Sequence, residues 1–536
     1  MTTTGADIIG QALATAGATH AFGIPGGEVL ALMQGLHGAG LEFVLVKHEN
    51  GGGFMAEGLW HMTGALPVLV ATLGPGVANA VNVVANAMQD RVPLIFLTGC
   101  VDAAEAETYT HQVFDHQAML RPVVKGSFRL APGSVAAGMA KAIALAVSGQ
   151  PGPVHVDVPI GVAERLSGGA VSALSLGAPG LPSPSALAEA RLVLGRAQRP
   201  LAIAGVDAVN EGAGPAITAF CRAHGIPLIT TYKGKGLMPE SDPLCLGGAG
   251  LSPKADRILM PLMARADAIL LLGYDPIEMR VGWRNPFAKG QTVIEVAATR
   301  RDHGMHSADI TLTGSVALTL DALTHEAPHC WPGQEPQTAR AALKAAFASP
   351  GTWGPHEVFA TLRAVMPLDT VITADSGAHR ILVSQMWDCP SPRLMLQSSG
   401  LCTMACAVPL AAGAKIGRPH APVLAFVGDA GLEMGAGELA TLAARNLPIL
   451  ICVLVDHSLS LIEMKQRGSQ RQNLGVDFGG AGVSTDFAAL ARAFGGHGVD
   501  VDNSSSLAAE ATAALSRHRF TLIAAQIARR SYDGAI

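Results

Sequence analysis

The chain has no CxxC pair. Its eight cysteines (Cys100, Cys221, Cys245, Cys330, Cys389, Cys402, Cys406 and Cys452) stand apart, mostly inside apolar runs. That usage argues against a disulfide framework and fits reduced thiols in a cytoplasmic protein. No apolar run reaches the roughly 18 residues a membrane helix needs, and Met1 to Asp7 lacks a basic segment leading into an apolar one. Neither insertion nor export is expected. Only 15% of residues are charged, and a net charge of −5 spread over 536 residues forms no polybasic face, which argues against nucleic acid or an anionic membrane as partner. No short-period repeat is present. What remains is 49% hydrophobic and carries 62 glycines, the composition of a glycine-punctuated α/β enzyme too long for one core.

Short apolar, β-branched runs alternate with helical segments. They predict strands at 20–24, 43–46, 68–72, 94–98 and 154–158, then at 201–204, 227–231, 268–272, 292–295 and 310–312, and finally at 370–373, 423–427 and 448–455. Such runs separated by helices indicate parallel, doubly wound sheets. The composition turns to Gly, Ala, Ser and Pro at 167–185, and to Pro and Gly at 326–355, so both read as linkers. Three α/β domains are expected, at 1–166, 187–325 and 355–536.

The stretch 423–466 organises the rest. A buried strand ends in Gly428, Asp429, Ala430 and Gly431, a helical segment runs on through Arg445, and a second apolar strand delivers Asp456, 27 positions after Asp429. Two carboxylates thus sit at the carboxyl ends of successive strands, where parallel sheets place ligands. Glycines leave room for a phosphate, and the following helix aims its N–H groups at it. A hard divalent cation bridging carboxylates to phosphates suits that position. The bland alternative is an ordinary βα turn with an N-capping Asp.

These residues resemble the thiamine diphosphate (ThDP) enzymes of the acetolactate synthase, pyruvate oxidase and 2-oxoacid decarboxylase group. That family's signature, Gly-Asp-Gly followed 25 to 30 residues later by Asn-Asn, appears as Gly428-Asp429-Ala430 and Val455-Asp456. Ala430 replaces a glycine, harmless if φ there is negative. Asp456 replaces the usual Asn, which a divalent cation tolerates. The resemblance implies three domains binding, in order, the pyrimidine, nothing decided, and the diphosphate. It implies Mg²⁺ on Asp429, Asp456 and the Ser458 carbonyl, with Gly428, Ala430, Gly431 and Leu459 around the diphosphate. His48-Glu49-Asn50 matches the segment whose acid contacts the pyrimidine N1′, which makes Glu49 the expected catalytic acid. Gly74-Pro75-Gly76 with Asn79 matches the family's turn, and Gln112 before Arg121-Pro122 matches its loop glutamine, beside His111. Met404, 25 positions before Asp429, matches the residue that bends the cofactor. Gly377 and His379 fall near the pyrimidine, and 152–159 resembles the strand closing the first domain.

Activity on a 2-oxoacid such as pyruvate follows, with the site between the subunits of a homodimer and tetramers common among relatives. No adjacent His-His pair occurs, although His111 and His116 offer a looser version, and this favours carboligation over release of free aldehyde. The departures at His111 and at Lys465, beside Leu461 and Ile462, leave strict acetolactate synthase identity open. A benzoylformate or phosphonopyruvate decarboxylase, or a sulfoacetaldehyde acetyltransferase, stands as the alternative, and a fold that has lost its chemistry as a third. No pattern decides on FAD, which some relatives hold in the middle domain.

Overall fold

The computed structural model describes residues 3–169, 171, 177, 179–300, 303–324, 331–478 and 484–536. Parts of both expected linkers, and Cys330, lie outside them; the seven described cysteines are unpaired.

Three six-stranded, wholly parallel sheets follow one another along the chain. The first contains β1 (His20–Gly23), β2 (Glu42–Leu45), β3 (Val68–Ala71), β4 (Ile95–Cys100), β5 (Gly126–Arg129) and β6 (Val154–Pro159), in the order β2-β1-β3-β4-β6-β5. The second contains β7 (Pro200–Ala204), β8 (Leu228–Thr231), β9 (Cys245–Ala249), β10 (Ala268–Leu272), β11 (Thr292–Ala297) and β12 (Ile310–Thr313), in the order β12-β11-β10-β7-β8-β9. The third contains β13 (Val371–Ala374), β14 (Met395–Gln397), β15 (Val423–Gly428), β16 (Leu450–Val455), β17 (His497–Val501) and β18 (Thr521–Gln526), in the order β14-β13-β15-β16-β18-β17. Central strands such as β3, β7, β10 and β16 are buried at every residue, because helices cover both faces. Ser-Pro pairs start two of those helices: Ser183 and Ser252 accept from the backbone N–H of Ala186 and Ala255, and proline takes the first helical position.

All thirteen expected strands form, and five more join them. β5 is half-exposed at an edge, β9 contains two glycines and a register shift, and β14 has three residues. β17 is a partly exposed edge, and β18, although buried, reads Thr-Leu-Ile-Ala-Ala-Gln, with alanines that suit a helix as well. The expected single helix after Asp429 is instead two, Asp429–Gly435 and Glu438–Ala444. The interruption places Glu438 against the first domain, where its Oε1 accepts from the backbone N–H of Lys47 (3.0 Å) and His48 (3.1 Å).

The first and third sheets share one apolar core through the helices Glu49–Thr63 and Ala407–Gly417. Their backbones touch: a Cβ on Gly58 would lie 2.2 Å from the Leu410 carbonyl oxygen, and one on Gly413 would lie 1.9 Å from that of Met55. The middle domain is tied in by charge. Lys233, just after β8 and with its side chain 7% exposed, pairs with Asp90 at 3.0 Å and Glu57 at 3.6 Å, and Asp275 after β10 pairs with Arg91 at 2.8 Å.

Candidate functional site

Two groups of residues emerge from the ends of the first and third sheets. In the first domain, β2 ends at Leu45, and Glu49, four residues on, opens the next helix. Glu49 is buried. Its Oε2 accepts from Asn79 Nδ2 at 3.0 Å, and a Cβ on Gly76 would come within 3.3 Å of its Oε1. Asn79 and Gly76 belong to the helix Pro75–Gln89, which begins from Gly74 at φ +69°. That left-handed residue would clash with Gln112 if it carried a side chain, since its Cβ would lie 2.4 Å from the Gln112 carbonyl oxygen. Gln112 itself has φ +60° and, like His111, is exposed.

Of the two histidines offered as a loose pair, His111 is exposed and His116 is held inside the domain. It is buried with both ring nitrogens engaged: Nε2 accepts from the Gly74 N–H at 3.2 Å, which leaves the proton on Nδ1 to donate to Asp157 at 2.9 Å. Thr98 donates to the same Asp157 oxygen at 2.7 Å. Burial opposes the charge on Asp157, but the hydrogen bonds from His116, His155 and Thr98 hold its carboxyl well below the usual range. His116 thus serves the Gly74 turn.

In the third domain, Asp429 and Asp456 close β15 and β16 and face one cavity of about 180 Å³. Gly377, His379, Met404, Gly428, Ala430, Gly431, Ser458, Leu459, Leu461, Ile462 and Tyr532 also line it. Lys465, on the helix Ser460–Gly468, is exposed and outside that wall. Ala430 is helical with negative φ, as its substitution for glycine requires. Asp429 Oδ1 accepts from the Ala430 N–H at 2.8 Å and Oδ2 from the His457 N–H at 2.7 Å. Burial raises its carboxyl above the ordinary range despite those bonds. Asp456 accepts from Ser460 Oγ, yet burial, with the nearby Asp429 charge, pushes it up to about 6. Burial, and then Arg380, drops His379 to about 3, so its ring is neutral at pH 7. Nε2 of His379 and the hydroxyl of Tyr532 are buried without a hydrogen-bond partner among the described residues.

Met404 rides on a strained loop. Cys402 (φ +57°) and Ala405 (φ +64°) flank it in the left-handed region, a conformation that costs about 1 kcal/mol or more per residue. Asp375, after β13, holds the loop by accepting from the N–H groups of Ala405 and Cys406, both at 2.9 Å. Its carboxylate also fills the space beside Gly431, where a Cβ would lie 2.0 Å away. Met404 forms part of a second cleft, about 760 Å³, whose opposite wall includes Lys47, Asn79 and Asn82 of the first domain.

The thiamine pyrophosphate enzyme N-terminal TPP binding domain matches residues 3–119, the central domain 187–323 and the C-terminal TPP binding domain 375–525. The "Acetolactate synthase large subunit" of Corynebacterium glutamicum is 30% identical over 86% of this chain and 76% of its own length. The chain belongs to the thiamine pyrophosphate enzymes. This ThDP-dependent enzyme is also 29% identical to the "Acetolactate synthase large subunit" of Parasynechococcus marenigrum, over 98% of this chain and 88% of that one. To the "Probable 2-ketoarginine decarboxylase" of Pseudomonas aeruginosa it is 31% identical, over 92% and 89%.

Four residues of this ThDP enzyme's site escaped the motif reading: Asp375, Glu438, Glu463 and Tyr532. Asp375 stood in view at a strand end, but nothing local announced that it would hold a loop 30 residues on. Glu463 lies buried between Ser458 Oγ (2.6 Å), Arg529 Nε (3.0 Å) and Arg530 Nε (2.9 Å). Its neighbours lie five residues before it and 66 and 67 residues after it.

Proposed function

We propose that this enzyme uses ThDP and Mg²⁺ to decarboxylate a 2-oxoacid such as pyruvate and to join the product to a second carbonyl compound, as acetolactate synthases do. The observation carrying this is the carboxylate pair. Two buried acids line one cavity, one pushed up to about 6 by burial and its neighbour, a donor set that suits a divalent cation. The cavity also offers the N–H groups at the start of the helix Asp429–Gly435 and two buried polar atoms without a partner, which fits a bridging diphosphate. When bound, the thiazolium supplies the electron sink for loss of CO₂.

In this reading Asp429, Asp456 and the Ser458 carbonyl hold the cation, and Gly428, Ala430, Gly431 and Leu459 surround the diphosphate. Met404 bends the cofactor. Glu49 holds a proton at the pyrimidine N1′, oriented by Asn79, while Gly377 and His379 flank the ring. Gln112 and His111 face the substrate carbonyl from the Gly74 side. The cavity around Asp429 has no wall from the first domain, which supports a homodimer in which each Glu49 serves the partner's site, with a tetramer as the larger assembly. Among the described residues no helix is long and apolar enough to cross a membrane, and we place the protein in the cytoplasm.

The alternative is a decarboxylase or acetyltransferase of the benzoylformate decarboxylase or sulfoacetaldehyde acetyltransferase type, and the 31% identity to the probable 2-ketoarginine decarboxylase favours its decarboxylase form. Product analysis with pyruvate and a panel of 2-oxoacids that includes 2-ketoarginine decides between them. Acyloin or acetohydroxyacid products support carboligation; free aldehyde and CO₂ alone would sink it.

A further inference from the structure

The segment 529–533 has no part in the family signature, yet it reaches the cation cavity. Arg529 and Arg530 both donate to Glu463, the carboxylate that also accepts from Ser458 Oγ, and Arg467 makes two bonds to Asp533, at 2.7 and 2.6 Å. Glu463 therefore joins the loop carrying Asp456 and Ser458 to this segment. Between the two clamps, the ring of Tyr532 packs into an apolar cluster with Cys452, Leu454 and Ile527. Tyr532 lines the cavity shared by Asp429, Asp456 and Ser458, with its hydroxyl buried.

Tyr532 is 3% exposed, and its hydroxyl has no hydrogen-bond partner among the described residues. Orphaned buried hydroxyls are uncommon because each forfeits its bonds to water. A phenol, whose ordinary pKa is about 10, keeps its proton at neutral pH and is a donor there. A neutral donor that two clamps fix beside a pair of acids, without bonding either of them, suits an acceptor that arrives with the cation.

We propose that Tyr532 is a binding residue for the cation–diphosphate unit, its hydroxyl donating to an oxygen of that unit, and that Glu463, through the two arginines, positions it. The assignment rests on the reading of this cavity as the diphosphate and metal site. It adds a contact from outside the two signature strands and makes segment 529–533 part of the cofactor's seat.

The test is Tyr532→Phe, which removes one oxygen and leaves the ring. Binding of ThDP at saturating Mg²⁺, and of inorganic diphosphate with Mg²⁺, is measured by calorimetry on wild type and variant, alongside thermal unfolding of both cofactor-free proteins. We expect Kd for both ligands to rise about five- to tenfold, the worth of one hydrogen bond. The cofactor-free variant should unfold at the same temperature or higher, since no protein bond is lost. Kd values within about twofold of wild type would overturn the proposal, as would a fall in the cofactor-free unfolding temperature that accounts for the weaker binding. Should wild type itself bind neither ligand, the cavity's assignment fails along with it. A wild type that binds and a variant that matches it sink only the role of Tyr532.

Discussion

The two halves of the site are built on opposite electrostatic plans. Around Glu49 the carboxylate is matched inside the protein: Asn79 donates to it, and its helix is braced by Glu438 and by the backbone contact at Gly58. Around Asp429 and Asp456, two acids crowd one cavity and, among the described residues, no Lys or Arg side chain lines that cavity. The first arrangement is satisfied within the protein; the second leaves two neighbouring acids unmatched, which is where the proposed cation would sit. Rigidity was spent on the acid that must be aimed, and unmet charge was kept where a ligand must be attracted.

Four changes probe this contrast. The largest effect is expected for Glu49→Gln, which keeps the Asn79 contact but cannot take the N1′ proton: turnover should fall roughly 10²- to 10⁴-fold with ThDP affinity nearly unchanged, measured by steady-state kinetics and calorimetry. Full activity in that variant would erase the distinction between the halves. Next comes the brace, Gly413→Ala, which forces a methyl group into the Met55 carbonyl; a loss of about 1–3 kcal/mol or more in chemical denaturation is expected. A variant of unchanged stability would mean that the two helices can separate freely.

Asp456→Asn removes the like-charge strain. Because the folded carboxyl is raised to about 6, cofactor-free protein binds the proton more tightly than the unfolded chain, so its stability falls as pH climbs from about 4 to 6. The variant should lack that decline and gain on the order of 1–3 kcal/mol at pH 8, while its stabilisation by added Mg²⁺ shrinks. Melting curves at pH 4.5 and 8, with and without the ion, report both. The smallest effect is that of Glu463→Gln. Burial alone would raise this acid, but Ser458, Arg530 and Arg529 override it and hold it down to about 2. Its contribution is complete above the unfolded value near 4.5 and is lost as pH falls toward 2. Solvent around the half-exposed arginines limits the loss at neutral pH to about 1 kcal/mol, and the acid limb of the stability profile should flatten.

Much of this architecture was legible because parallel sheets bury whole strands, which turns β3, β10 and β16 into unbroken apolar runs. Edge strands such as β5 and β17 lack that mark, and β9 is disguised by its glycines. At the site, Asp429 and Asp456 were readable from strand ends, and Met404 from its offset. Their supports were not. Asp375 acts on Ala405 and Cys406, Glu438 acts on Lys47 and His48 nearly 400 positions away, and His116 braces Gly74. Each depends on contacts that only the folded chain creates.

The seam where Gly58 meets Leu410 and Gly413 meets Met55 also bears on engineering. At those two points its helices meet backbone to backbone, with no room for a side chain. Chimeras that graft the first domain of one relative onto the third domain of another should therefore carry residues 49–63 and 407–417 together, as one cassette, wherever the crossover points are set.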